Sequence, residues 1–153
     1  MKKLVLTMLL ALALITTVFA GLGRTYQAFT ESDFAKTHRF IPQTKYRTQD
    51  RAVFISPQKE LVILKIKGSY VYYEKLTWIN DGAPESEAAL NQVLIDFLCQ
   101  ATNIQPETEE YAGLVQCIND KMTEFTLLGN YVVRTNIDQN KEKPFVEIYV
   151  RTN

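Results

Sequence analysis

The stretch ELVILKIKGSYVYYEKLTWIN, residues 60–80, constrains this chain more than any other. Two runs rich in β-branched and aromatic residues flank Gly68-Ser69. Glycine first in a two-residue loop is the signature of a type II′ turn, so the stretch reads as a β-hairpin. That register sets Lys67 opposite Tyr70, Ile66 opposite Val71, Lys65 opposite Tyr72 and Leu64 opposite Tyr73. Strand side chains alternate between faces. Leu64, Ile66, Val71 and Tyr73 are therefore expected to pack inward, and Lys65, Lys67, Tyr70, Tyr72 and Glu74 to lie on the other face. RAVFIS, just upstream, reads as a third strand beside the hairpin.

Helical signals follow. NDGAPESE is a turn and a helix start, with Pro84 suited to the first helical position and Glu85 and Glu87 to the positive end of the helix. Leu90, Val93, Leu94, Phe97, Leu98 and Ala101 recur at three- and four-residue spacing, which predicts an amphipathic helix. A second helix carries Tyr111, Leu114, Val115, Ile118 and Met122; Gly113 weakens it, and a strand through GLVQCI is the alternative. Phe125 to Ile137 has strand character, DQNKEKP is a polar loop, and FVEIYVR closes the chain as a strand. In that strand Val146, Ile148 and Val150 share one side, and Phe145, Glu147, Tyr149 and Arg151 the other. The order of elements predicts an α+β fold, an antiparallel sheet with one or two helices packed on one face.

The N-terminus bears on where such a domain works. Lys2 and Lys3 precede a charge-free run from Leu4 to Gly23, and Val18-Phe19-Ala20 offers small residues at the positions a signal peptidase reads. The run is 20 residues, about 30 Å as a helix, so it also suits an uncleaved anchor. Residues 1–23 are accordingly expected as a signal peptide or membrane anchor, 24–50 as a basic arm or linker, and 51–153 as an extracytoplasmic domain, periplasmic or secreted. Within the arm, TESDFAKTHRF reads as a short helix with Thr30 as N-cap and Phe34 and His38 on one face. Membrane contact is expected only through residues 4–23, and only if they are retained. In an oxidising compartment Cys99 and Cys117, 18 positions apart, are expected to form a disulfide worth about 3 kcal/mol. The competing reading is two free thiols packed as small hydrophobes. Cys99 lies off the apolar stripe of its helix, so a bond to Cys117 requires another element to cover that flank.

Catalytic chemistry is sparse. His38 is the single histidine, and a histidine base needs a nucleophile and an orienting group. Asp33 is five positions away, off the shared helical face, so a packing role is expected for His38. The cysteines lack the C-x-x-C spacing of a redox pair, and two thiols with one distant imidazole make a poor zinc set. Asp138, Asn140 and Glu142 alternate like the start of a calcium loop, but Lys143 and Tyr149 stand where glycine and glutamate are required. No catalytic, cofactor-binding or metal residue is expected. Clustered Glu107, Glu109 and Glu110 leave a carboxylate hydrolase as one alternative, and a small-molecule or glycan-binding module is another.

Charge layout points elsewhere. The chain is neutral, with 17 basic and 17 acidic residues, which gives no reason to expect nucleic acid as a partner. Yet residues 24–75 hold 10 basic and 5 acidic residues, whereas residues 85–124 hold 1 basic and 8 acidic. A body charged in this way suits docking to a protein partner or to itself. The expected function is a non-catalytic interaction or assembly domain, with Lys65, Lys67, Tyr70, Tyr72 and Trp78 as its candidate interface.

Overall fold

The computed structural model describes residues 21–137 and 143–150. The expected leader up to Ala20, the polar loop with Asp138, Asn140 and Glu142, and Arg151 lie outside the described residues. Two short helices, α1 (Tyr26–Glu31) and α2 (Asp33–His38), lead into the sheet strands β1 (Ile41–Pro42), β2 (Arg51–Ile55), β3 (Glu60–Lys67) and β4 (Tyr70–Trp78). The helices α3 (Glu87–Thr102) and α4 (Glu109–Asn119) follow, then β5 (Glu124–Leu127), β6 (Tyr131–Asn136) and β7 (Phe145–Val150). The strands form one antiparallel sheet in the order β1-β2-β3-β4-β7-β6-β5. The fold is the expected α+β type: α3 contacts β4 and β7, α4 contacts β5, and α2 contacts α3.

The core lies between the sheet and this helical layer. Val62 and Leu64 of β3, Leu76 of β4 and Val146 and Ile148 of β7 are fully buried against Leu94, Phe97 and Leu98 of α3 and Leu114 and Ile118 of α4. The segment between Arg24 and Asp50 contributes to it as well. Phe29 of α1 packs on Phe54 at 4.8 Å, and Phe34 of α2 packs on Phe97 at 5.7 Å. The helix expected with Thr30 as its cap is divided in two. Ser32 takes the cap instead, its Oγ accepting from the Ala35 N–H at 3.1 Å. Ser86 and Thr108 cap α3 and α4 in the same way, so α3 begins at Glu87, the last residue of NDGAPESE, and not at Pro84. GLVQCI is helical, and Phe125–Ile137 divides into β5 and β6 around a turn at Leu128 and Gly129, both at positive φ.

Among the described residues no helix is long and apolar enough to cross a membrane. The end of the expected anchor, Gly21–Gly23, is part of the domain and is not helical. Both glycines take positive φ, 132° and 81°, which a continuing helix forbids. The Leu22 N–H donates to the Ala101 carbonyl at 3.0 Å, and the Gly23 N–H to that of Val71 at 2.8 Å. A Cβ on Gly21 would stand 2.3 Å from the Ala101 oxygen, so only glycine fits there.

The expected disulfide does not form; Cys99 and Cys117 are both free and half-buried against the core. The pairing of α3 with α4 explains why. Asn91 donates to Asn119 at 3.2 Å, and Lys121 meets Glu87 at 3.1 Å. These two contacts fix an antiparallel register that sets Cys117 level with residue 92 and Cys99 level with Glu110. The thiols are therefore displaced by about 10 Å along the helix axes at 1.5 Å per residue, beyond the Cα separation a disulfide spans. Burial raises both thiols, that of Cys99 to about 11 with the Asp96 charge adding to the effect.

Candidate functional site

The β3–β4 hairpin projects beyond its neighbours. β7 pairs with β4 only from Tyr73 to Thr77, and β2 pairs with β3 only as far as Lys65. The tip is steadied from below: the Val71 N–H donates to the Arg24 carbonyl, and the Ile66 N–H to that of Asp50, each at 2.8 Å. Gly68 has φ of 64° and Ser69 does not share that sign, as the type II′ turn requires. Lys67 faces Tyr70 and Ile66 faces Val71, as the sequence predicts.

One step further the register departs from expectation. A β-bulge falls between Lys65 and Ile66, so Lys65 pairs with Tyr73 and Leu64 with Glu74. Tyr72 is the extra residue. Every side chain beyond it on β4 changes face. Tyr73, expected inside, lies on the open face of the sheet, with the Lys65 ammonium 4.4 Å from its ring centre and its hydroxyl donating to Glu147 at 2.7 Å. Glu74, expected outside, is driven into the core. Tyr72 is expelled at 43% exposure, beside Tyr70 at 59%. Lys65 and Lys67 are exposed with them. The fifth expected interface residue, Trp78, lies at the other end of β4, opposite Glu60, and is 2% exposed. It belongs to the core. The tip therefore brings together Lys65, Lys67, Tyr70 and Tyr72, with Arg51 across from Lys65.

Two buried carboxyls escaped the sequence reading. Glu60, at the start of β3, receives the His38 Nδ1–H at 2.8 and 2.9 Å and the Ser56 hydroxyl at 2.7 Å. His38 packs against Phe34 and Phe40, at 4.4 and 6.1 Å between ring centres, and the two phenyl rings also meet each other at 5.7 Å. The residue types are those of a hydrolytic triad, but the order is wrong. Serine and histidine both bond the carboxylate and not each other, so the imidazole cannot take the serine proton. The arrangement instead ties α2 to the sheet across the turn at Ser56–Lys59.

Glu74 is the second. It is 1% exposed, and neither carboxyl oxygen has a hydrogen-bond partner. Burial pushes its carboxyl up to about 8, so it is protonated at neutral pH. Sealed between Leu64 and Ile148 in the sheet register, it has no route to a substrate. The remaining acids that suggested a hydrolase, Glu107, Glu109 and Glu110, stand in solvent around the start of α4. No group of three or more His, Cys, Asp or Glu side chains among the described residues is placed to hold a metal ion.

The signals for the missed features were partly present. Val71 and Leu76 are both strong apolar positions on β4, yet they are an odd number of residues apart. No straight strand buries both, so a bulge between them was required. The Glu60–His38 pair spans 22 positions and left no periodic trace. No family model, no curated protein and no solved structure matches the chain.

Proposed function

We propose that this chain is a non-catalytic protein-interaction domain that works outside the cytoplasm and docks through the β3–β4 tip. The observation that carries the reading is the exposure of Tyr70 and Tyr72 together, 59% and 43%, on a strand whose bulge turns the second ring outward. Neither ring stacks on another aromatic or sits under a cation among the described residues, in contrast to Tyr73 and Tyr26. Tyrosine offers a large rigid contact area with a polar end, which is why it is enriched at the energetic centres of interfaces. Lys65 and Lys67 beside the rings add charge that steers an acidic partner into register.

Replacing Tyr70 and Tyr72 by serine tests this. Neither ring is part of the core, so the melting temperature should stay within about 2 °C of the parent, as for surface substitutions generally. Crosslinking in the intact envelope or secretion medium should recover a partner with the parent chain and lose it with the double variant. Retained crosslinking, or a large fall in melting temperature, would refute the docking role.

A further inference from the structure

We propose that the partner is a second copy of the same chain, with the basic tip of one copy seated on the acidic outer face of α3 and α4 of the next. This rests on the reading of the tip as a docking surface. Folding sharpens the charge separation found in the sequence. Two of the five acids between Arg24 and Lys75, Glu60 and Glu74, are buried, whereas every lysine and arginine of that stretch except half-buried Lys75 is exposed. All eight acids between Glu85 and Glu124 are exposed. The single base among them, Lys121, is engaged with Glu87 at 3.1 Å.

The two surfaces do not neutralise each other within one copy. Four ion pairs form among the described residues: His38–Glu60, Lys75–Glu147, Lys121–Glu87 and Arg134–Glu124. None of the four joins a base of residues 24–75 to an acid of residues 85–124. The topology sets α4 apart from the basic stretch, although α3 packs on β4 and α2. The basic stretch builds the β1-to-β4 half of the sheet, while α4 lies over β5 at the opposite edge. Each surface is therefore left with its complement on another molecule. Tip and helix face are different surfaces, so the contact is head-to-tail. Such a contact leaves a free tip and a free face after every addition, and growth continues until a ring closes or a filament forms.

Charge reversal provides the test. The exported chain is purified as the cell leaves it (in mild detergent if the N-terminal segment is retained) and followed by sedimentation velocity across concentration. The parent should give a ladder of species beyond the dimer. Raising salt from about 0.05 to about 0.5 M should dissolve that ladder, as screening shortens the reach of the charges. Lys65→Glu with Lys67→Glu should remain monomeric, its tip and face both acidic. Asp96→Lys, Glu107→Lys, Glu109→Lys and Glu110→Lys together, which take residues 85–124 from 1 basic and 8 acidic residues to 5 basic and 4 acidic, should also remain monomeric, tip and face both basic. Mixed in equal amounts, the two variants should assemble again, because each tip then meets a face of opposite charge on the other variant.

A parent that is monomeric at every concentration overturns the inference, as does a mixture that fails to reassemble. A dimer that neither variant disturbs also overturns it. If the parent is monomeric while the tyrosine double variant still loses a crosslinked partner, the tip remains a docking surface and its partner is another protein. If the tyrosines also prove dispensable, both readings fall.

Discussion

Replacing Glu74 with leucine should stabilise the protein, and increasingly so as pH rises. A carboxyl whose folded-state value is raised from 4.5 to about 8 stays protonated in the fold while the unfolded chain ionises. Below pH 4.5 both states carry the proton and the fold is not penalised. Between 4.5 and 8 the unfolded chain alone releases it, so stability falls as pH rises. Above 8 the loss is complete. At about 1.4 kcal/mol for each tenfold change in proton affinity, that gap amounts to on the order of 5 kcal/mol. Water entry and local relaxation reduce this ceiling, and a difference of about 2–5 kcal/mol is expected. Leucine is somewhat larger than glutamate, but it is apolar and suits a site between Leu64 and Ile148 in the sheet register. The single tryptophan, Trp78, is buried and reports unfolding directly. Urea unfolding followed by its fluorescence, at about pH 5 and about pH 9, compares the two chains with every other titrating group held in common. The gain from Glu74→Leu should be small at the lower pH and large at the higher. Equal gains at both, or a loss at the higher, would mean that the carboxylate has a partner in the fold, and the account of an unpaired buried acid would fail.

Three other outcomes follow from the contacts described above. His38→Ala leaves Glu60 buried with Ser56 as its one side-chain partner and should cost about 3 kcal/mol, measured by the same urea assay. Ser32→Ala removes the cap of α2 and should cost about 1 kcal/mol, whereas Thr30→Ala should cost much less because its hydroxyl bonds only the Gln27 carbonyl in solvent. Intact mass after alkylation of the denatured, unreduced protein should show two adducts, one each at Cys99 and Cys117, and in the native protein Cys99 should resist alkylation at neutral pH.

What could be read from the sequence was what repeats along it. The helix stripe from Leu90 to Ala101, the alternation of Phe145–Val150 and the turn at Gly68-Ser69 are local patterns, and all three stand in the fold. A bulge is an insertion into a pattern, so a reading anchored at the turn ran correctly for two pairs and then placed Tyr73 and Glu74 on the wrong faces. The disulfide failed for a related reason. The count of cysteines and the compartment expected from residues 1–23 spoke for a bond, but the register of α3 against α4 is set by Asn91, Asn119, Glu87 and Lys121, whose partnership has no sequence signature. Tyr70 and Tyr72 were legible as a surface pair, since both lie next to the turn. Trp78 was not, because its burial depends on the phase of β4 beyond the bulge.

The position of β4 in the sheet has a kinetic consequence. Its outer neighbour β7 is the last described strand of the chain, and Tyr73 and Glu147, which meet across them, are 74 positions apart. Pairing of such distant segments is slow, because loop closure must precede the contacts that reward it. Until β7 arrives, the β2-β3-β4 meander has an open edge and Glu74 is wet on that side. At neutral pH its carboxyl is then ionised. Closing the seam expels the water and demands a proton from solution. The step that joins the two halves of the sheet thus consumes one hydrogen ion, and refolding should slow as the medium becomes more alkaline, with the seam acting as a latch that the proton sets.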